Sequence, residues 1–130
     1  MSEPIWIDRS ALIHLHDRDL ELHGGLIGIR DSGLLDSALD RPLNRLAYEP
    51  HSTLAQLAAS YGFGIARNHP FVDGNKRAAF LAIGVFLAIN GMNFKPTQVD
   101  ATQKILSLAA GDLSEAALAE WIEAIVIPNG

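Results

Sequence analysis

Residues 69–89 read HPFVDGNKRAAFLAIGVFLAI, which joins a cluster of ionisable side chains to twelve residues without a polar side chain. The apolar run, Ala78–Ile89, is too short to cross a bilayer, which needs about 20 such residues. A helix that is apolar on every side is buried in a core. We therefore expect a helix from about Asn75 to Asn90-Gly91, a usual helix stop, at the centre of the fold.

Helical spacing and capping signals on both sides of this run predict amphipathic helices around it. We expect strands at most at Ile5–Ile7 and Met92–Lys95. The first predicted helix begins at Asp8 or Ser10 and ends near His23, and the second has a Ser32 cap, covers Leu34–Asp40 and stops at Pro42. The third begins at Ser52 or Thr53 and ends near Arg67, and the fifth begins at a Thr97/Asp100 capping box and ends at Gly111. The last predicted helix has an apolar face of Leu118, Trp121, Ile122, Ile125 and Val126. The expected fold is all-α, with a hydrophobic central helix surrounded by amphipathic helices.

Length and composition limit the class of protein. A chain of 130 residues predicts one domain over residues 1–130. It has no cysteine, which excludes disulfides, thiolate zinc sites and cysteine nucleophiles. The N-terminus, MSEPIWIDRS, does not resemble a signal peptide, so we expect a cytoplasmic protein without a membrane segment. A net charge of −5 disfavours direct nucleic-acid binding.

The start of the central helix carries charges of the wrong sign for a helix N-terminus. Free N–H groups give that end a partial positive charge, and Lys76 and Arg77 add two cations. A bound anion would resolve this conflict, and phosphate is the anion that helix N-termini commonly bind. Gly74 would let the backbone approach the phosphate, and Asn75 could donate an amide hydrogen bond to it.

The loop before this helix supplies acid–base and metal-binding groups. Asp73 could bind Mg²⁺, because nucleotide-bound Mg²⁺ commonly takes one or two protein carboxylates. His69 could accept a proton from an attacking hydroxyl. Pro70 and Phe71 have the character of structural residues, a rigid entry and an aromatic anchor. A base, a metal carboxylate and a phosphate site together favour phosphoryl or nucleotidyl transfer.

A structural interpretation of the same residues is also open. Lys76 and Arg77 could be solvated at a frayed helix end. Asp73 could be a helix cap, a frequent role for aspartate. His69 could be an ordinary surface histidine. Residue types alone do not decide between this interpretation and a transfer site.

The motif HPFVDGNKR resembles the signature loop of the Fic/Doc superfamily. The segments GGLIGIRDSGLLDSALDRP and FLAINGMNF resemble the death-on-curing (Doc) branch, so the resemblance covers nearly the whole chain. It implies a compact helical Fic fold and ATP as the nucleotide. The roles that it implies match those above: His69 as the base, Asp73 as the magnesium ligand, Phe71 as the anchor, and a phosphate-binding turn of Gly74, Asn75, Lys76 and Arg77.

Two positions depart from the AMP-transferring Fic pattern and match Doc. Lys76 stands where Fic proteins have a second glycine, and Phe80 where they have a second arginine. The Doc resemblance implies a toxin kinase that passes the γ-phosphate of ATP to a threonine of elongation factor Tu. Pro70 and Gly74 are instead the Fic-like choices, so AMP transfer is the alternative. A non-catalytic binding module is a third hypothesis.

Regulation is expected to come from another protein. We find no self-inhibitory Ser/Thr-x-x-x-Glu-Gly/Asn sequence in the chain. In the Doc branch this implies a separate Phd-like antitoxin whose tail folds into a helix on the toxin. A partly apolar groove should therefore be open to it.

Several other features favour structural roles. We interpret His14 and His16 as part of a solvated helix face, and Gly62-Phe63-Gly64 as tight helix packing. Trp121 is expected in the core. Arg67 could reach phosphate or pair with an acid. Residues 48–50 could be a target-binding flap or an ordinary turn.

Overall fold

The computed structural model describes residues 3–129, and these residues form six helices and a two-stranded sheet. The helices are α1 (Arg9–His23), α2 (Ser32–Tyr48), α3 (Leu54–Asn68), α4 (Asn75–Ile89), α5 (Gln98–Ala109) and α6 (Glu115–Ile125). Strands β1 (Met92–Asn93) and β2 (Ile127–Pro128) pair antiparallel. The predicted all-α fold is confirmed.

Side chains cap five of the six helices at their N-termini. Each cap accepts a hydrogen bond from a backbone N–H in the first turn, which satisfies a group that has no partner within the helix. The five capping residues are Asp8, Asp31, Thr53, Thr97 and Ser114. The cap of α2 is thus Asp31, one residue before the predicted Ser32. The Thr53 cap is part of a complete capping box with Gln56.

The predicted capping box at α5 is only half correct. The Thr97 hydroxyl accepts from the Asp100 N–H at 3.2 Å, as expected. The Asp100 carboxylate does not return to Thr97, because it accepts from Nε1 of Trp121 at 2.6 Å and from Lys104 at 3.4 Å. Asp100 therefore ties α5 to α6 rather than closing a box.

Helix α2 continues through Pro42, so the predicted stop at this residue is wrong. A proline within a helix loses one backbone hydrogen bond and strains the preceding turn. The tertiary structure offsets this loss. Glu115 of α6 accepts from Arg41 at 2.7 Å and from Arg45 at 2.6 Å, and these two arginines flank the proline. The Glu115 carboxylate thus binds α2 on both sides of Pro42.

The core is built around α3 and α4. Helix α3 packs on α2, α4 and α6, and α4 also contacts α1 and α5. Two glycines of α3 bring the backbones close: a Cβ on Gly62 would lie 2.6 Å from Cδ1 of Ile83, and one on Gly64 would lie 3.2 Å from Cα of Ala38. The prediction that these glycines serve tight helix packing is confirmed, and Trp121 is buried as expected. Across residues 3–129, no helix is both long and apolar enough to cross a membrane.

The N-terminal segment Ile5–Ile7 is not a strand, although its sequence made it a candidate. The Asn90 side chain accepts from the Ile5 N–H at 2.8 Å and donates to the Ile5 carbonyl at 2.9 Å. The Ile7 N–H donates to the Tyr61 hydroxyl at 3.1 Å. Side chains therefore bind the backbone groups that a neighbouring strand would otherwise bind. The second candidate, Met92–Lys95, contains β1.

Replacing Gly62 with alanine should destabilise the protein by about 1–3 kcal/mol, because the added methyl overlaps Ile83 in a packed core. Gly84→Ala is the matched control, since a Cβ at Gly84 meets no atom within 4 Å. This control should gain up to about 1 kcal/mol from better helix propensity. Urea unfolding measures both changes, and equal effects of the two substitutions would contradict the packing role of Gly62.

Candidate active site

His69 ends α3 in a backbone conformation that is uncommon for a residue with a side chain. Its φ of 48° and ψ of 55° are left-handed, and it is the only non-glycine residue with positive φ among residues 3–129. This conformation costs about 1–2 kcal/mol. Arg30 holds it in place, because its guanidinium donates to the carbonyls of His69 at 2.7 Å and Asn68 at 2.9 Å. The imidazole of His69 is exposed.

The loop between α3 and α4 is closed by the side chain of Asn75. Its Oδ1 accepts from the Phe71 N–H at 2.9 Å, and its Nδ2 donates to the Phe71 carbonyl at 3.0 Å. The Phe71 ring is fully buried, as its predicted anchoring role requires. The loop also binds a segment outside it: the Val72 N–H donates to the Gly28 carbonyl at 3.0 Å, and Phe71 forms a β-bridge with Ile29. The segment 24–31 therefore lies along the outer edge of the loop.

Asp73 is exposed, and backbone N–H groups hold both of its carboxylate oxygens. Leu26 donates to Oδ2 at 3.1 Å and Gly74 donates to Oδ1 at 2.9 Å. These two hydrogen bonds, that of Leu26 first, lower the pKa of Asp73 below its usual value of 3.8. The nearby Arg77 guanidinium lowers this pKa further. Asp73 is therefore a fixed anion at neutral pH, with lone pairs left for a cation.

His16 does not lie on a solvated helix face, so the prediction for this residue is wrong. It is completely buried, whereas His14 is exposed. The imidazole Nε2 lies 3.0 Å from the Asp73 carbonyl oxygen, and the ring packs against Phe71 with 4.4 Å between centroids. Side chains two positions apart on a helix point in different directions. His14 therefore faces solvent, while His16 reaches the motif loop.

Helix α4 begins at this loop and, unlike the other five helices, has no side-chain cap within residues 3–129. Its cap position is Gly74, with φ of 70°. Lys76 is exposed and forms no ion pair with another described residue, whereas Arg77 binds Asp19 of α1 at 2.8 Å. The free N–H groups of the first turn and the Lys76 ammonium can together bind an anion. A phosphate that engages Arg77 would have to share it with Asp19.

A groove of about 580 Å³ opens beside this helix start, between α1, α4 and α5. Asp19, Lys76 and Arg77 contribute the charged part of its wall. Most of the remaining wall is apolar and includes Phe80, Leu81, Pro96, Ala101, Ile105 and Leu106. The groove thus joins an apolar surface to the proposed phosphate-binding turn.

The donor set fits magnesium only together with a phosphate ligand. The described residues contain no group of three or more His, Asp or Glu side chains that could hold a metal ion alone. Asp73 offers one ionised, exposed carboxylate beside a helix N-terminus. Mg²⁺ is commonly bound in this way, by one or two carboxylates with substrate phosphates and water.

Arg67 forms no ion pair with an acidic side chain among residues 3–129, and its guanidinium lies over the Phe63 ring, 5.3 Å from the centroid. A contact of Arg67 with phosphate stays a prediction. Tyr48 ends α2, and Glu49 and Pro50 begin a turn in which the Ser52 N–H and hydroxyl both donate to the Glu49 carbonyl. A target-binding role for residues 48–50 stays a prediction, and the segment 24–31 lies against the motif loop.

The sequence of this chain is similar to those of known proteins. The sequence model of the Fic/DOC family matches residues 6–87, which include α1, the segment 24–31 and the motif loop. The chain belongs to the Fic/Doc family. The Protein kinase doc of Escherichia phage P1 is 34% identical over 118 residues, which cover 89% of this chain and 91% of that protein. The Toxin Doc of Mycolicibacterium smegmatis is 38% identical over 89 residues, which cover 67% of this chain and 68% of that protein.

The Fic/Doc motif of this chain depends on two side chains that we did not predict from its sequence. His16 and Arg30 precede the motif by more than thirty residues and contact it through backbone carbonyls. A weak signal was present for each: His16 lies four residues from both Leu12 and Leu20, on the apolar side of α1, and Arg30 belongs to the segment that resembles Doc. Carbonyl acceptors have no residue-type signature, so the contacts themselves could not be read from the sequence.

Gly74→Ala should destabilise this Fic/Doc fold more than Gly91→Ala. Both glycines have positive φ, so alanine costs about 1–2 kcal/mol at each. At Gly74 the new Cβ would also lie 2.9 Å from Cε1 of His16 and 3.0 Å from Leu20, whereas at Gly91 it meets nothing within 4 Å. Unfolding free energies of the two variants test this difference. Equal losses would show that the loop has room for a side chain at residue 74.

Proposed function

We propose that this protein is a toxin of a toxin–antitoxin system that transfers the γ-phosphate of ATP to a serine or threonine hydroxyl of another protein. The observation that carries the proposal is the uncapped start of α4, which leaves N–H groups and Lys76 beside an ionised Asp73. The relative named Protein kinase doc, which aligns over 89% of this chain, supports transfer of a phosphoryl group to protein.

In the proposed reaction, His69 accepts the proton of the substrate hydroxyl, whose oxygen then bonds to the γ-phosphorus. The bond from that phosphorus to the β–γ bridging oxygen breaks, and ADP leaves. The backbone of His69 is left-handed, and Arg30 binds its carbonyl at the end of α3. These two features would fix the direction from which the imidazole reaches the substrate hydroxyl. General-base catalysis of this kind contributes roughly 10²–10⁴-fold to a rate.

The phosphates would bind at the first turn of α4. The proposed ligands are the backbone of Gly74 and Asn75 and the side chains of Lys76 and Arg77. The Gly74 N–H already donates to Asp73, so a phosphate would share it with that carboxylate. Both polar atoms of the Asn75 side chain already bind Phe71, so the donor with most freedom at this residue is its backbone N–H. Asp73 would hold Mg²⁺, which would offset phosphate charge in the transition state.

Phosphoryl transfer is favoured over AMP transfer by the surroundings of Phe80. This residue occupies the position where the AMP-transferring pattern has an arginine. A phenylalanine offers no cation for the outer phosphates. Its ring is half-buried and packs near the Phe94 ring, with 5.9 Å between centroids. Lys76 adds a side chain at the turn where that pattern has glycine. The opposing observation is the open backbone at Gly74, which supports AMP transfer as the second candidate.

The proposed substrate is a translation factor similar to elongation factor Tu, and the proposed inhibitor is a Phd-like antitoxin. The Doc resemblance suggests both, and the relative named Toxin Doc supports a toxin that has an antitoxin partner. The groove between α1, α4 and α5 suits an amphipathic helix with acidic residues near one end. Such a helix would place its apolar face on Phe80 and Ile105 and its acids at Lys76 and Arg77. It would thereby cover the phosphate-binding turn.

The transfer reaction is testable with ATP labelled at the γ or the α phosphate, in the presence of Mg²⁺ and elongation factor Tu. We expect label on the factor only from the γ position. His69→Ala should lower the rate by about 10²–10⁴-fold, because it removes the proposed base. The side chain of His69 is exposed, so the variant should remain folded by circular dichroism.

Other outcomes of this assay discriminate between the candidate functions. Label from the α position would establish AMP transfer. Absence of label from both, repeated across a whole lysate, would favour a non-catalytic binding module. A His69→Ala protein that transfers phosphate at the wild-type rate would contradict the assignment of the base.

The antitoxin site is testable by a charge substitution in the groove wall. Leu106→Glu should weaken binding of the antitoxin tail by about tenfold or more, because it places a charge against an apolar helix face. Leu106 is 52% exposed, so its replacement should not unfold the protein. Val99→Glu is the matched control, since Val99 is also on α5, is 69% exposed and does not line the groove. Equal affinity of the two variants, measured by calorimetry, would exclude this groove as the site.

A further inference from the structure

His16 is buried at a position where packing alone would favour an apolar side chain. Leu12 and Leu20, one turn of α1 away on either side, are also buried. Burying an imidazole costs free energy unless its polar atoms have partners. Of the other buried polar side chains among the described residues, Ser52 binds the Glu49 carbonyl, and Ser60 binds the Gln56 carbonyl and the Glu115 carboxylate. Only His16 of these three binds the motif loop, 57 residues away.

The direction of the hydrogen bond fixes the tautomer of His16. A carbonyl oxygen only accepts, so Nε2 carries the proton and donates to Asp73 across 3.0 Å. The other nitrogen, Nδ1, is buried and has no hydrogen-bond partner among residues 3–129. The interaction with Asp73 is therefore the polar contact that accounts for a histidine at this position.

The hydrogen bond from His16 affects the Asp73 carboxylate through the rigid peptide group between residues 73 and 74. In a trans peptide the C=O and N–H point in opposite directions. With the Asp73 carbonyl turned inward to His16, the Gly74 N–H of the same peptide is turned away from it. That N–H donates to Oδ1 of Asp73 at 2.9 Å. The orientation of the peptide 73–74 thus determines whether the carboxylate keeps one of its two backbone donors.

The same peptide has the conformational freedom to turn over. Flipping it changes φ of the following residue, and Gly74 tolerates either sign of φ because it lacks a side chain. In the flipped state a carbonyl oxygen, instead of an N–H, would face the Asp73 carboxylate and would repel it. The turn needs glycine at this position, since a Cβ would overlap His16 and Leu20. A separate restraint on the peptide is therefore required.

We propose that His16 is a positioning residue for phosphate transfer, which locks the Asp73–Gly74 peptide so that its N–H, and not its carbonyl, faces the Asp73 carboxylate. This proposal rests on the proposed function for its effect on rate, but the locked peptide is a property of the free protein. The ring contact to Phe71 supports the lock, and so does the close approach of Gly74, where an added Cβ would lie 2.9 Å from Cε1 of His16.

The test compares two substitutions by side chains of similar length, His16→Gln and His16→Met. The glutamine amide keeps an N–H donor near the position of Nε2, whereas the methionine side chain keeps the apolar bulk without a donor. We expect His16→Met to lower kcat/KM for transfer by about 10- to 100-fold through kcat and the affinity for ATP and Mg²⁺. His16→Gln should retain the rate within a few-fold. His14→Met, at an exposed position of the same helix, should leave the rate unchanged.

A second readout does not depend on catalysis. In the ¹⁵N-labelled full chain, the Gly74 amide should exchange with solvent faster in His16→Met than in the wild type or in His16→Gln. If the wild type transfers no label, the proposed function has failed, and the exchange rate still decides whether His16 locks the peptide. Should His16→Met not fold, His16→Asn takes its place, because its amide is one methylene too short to reach Asp73.

Two results would overturn the proposal. One is an unchanged Gly74 exchange rate in His16→Met or, where that variant does not fold, in His16→Asn. The other is an equal loss of transfer in His16→Gln and in the variant that cannot donate to Asp73, in proportion to lost stability, since this would indicate a packing role alone.

Discussion

The two hydrogen bonds between the Asn75 side chain and the backbone of Phe71 are the contacts on which the site depends. They close the loop that enters α4, a helix whose first turn has no side-chain cap within residues 3–129. The Phe71 ring is buried in the core. The loop is therefore anchored by apolar contacts of this ring and by the side-chain amide of Asn75. Free N–H groups at a helix start are unfavourable for stability but suit an anion. The loop is built so that this end faces solvent.

Other parts of the chain then restrain the loop through its carbonyl groups. Arg30 binds the carbonyls at the end of α3, and His16 binds the carbonyl of Asp73. The segment 24–31 adds the Leu26 N–H, which holds the carboxylate and lowers its pKa. Each restraint comes from outside the motif and acts on the loop or its carboxylate. The side chains of His69, Asp73 and Lys76 consequently remain exposed for chemistry.

The groove beside α4 would connect this site to the proposed antitoxin. Its charged wall includes Lys76 and Arg77, and its apolar wall extends along α5. Arg77 is already paired with Asp19, so an acidic ligand in the groove would compete for the same cation as a phosphate. An inhibitor that binds the apolar wall could thus act on the proposed phosphate-binding turn directly, without a change of fold.

The all-α class, the bounds of α3 and α4, and the motif residues are predictable from the sequence, because they depend on local periodicity, capping and a short signature. The sequence also indicates the close packing at Gly62 and Gly64. The remaining features depend on contacts between distant parts of the chain. Helix α2 passes Pro42 because Glu115, 70 residues from Arg45, binds both flanking arginines, and Asp100 turns to Trp121 instead of its own cap. His16 is buried because a distant carbonyl lies within its reach. Such partners depend on how helices pack, and residue spacing along the chain does not reveal them.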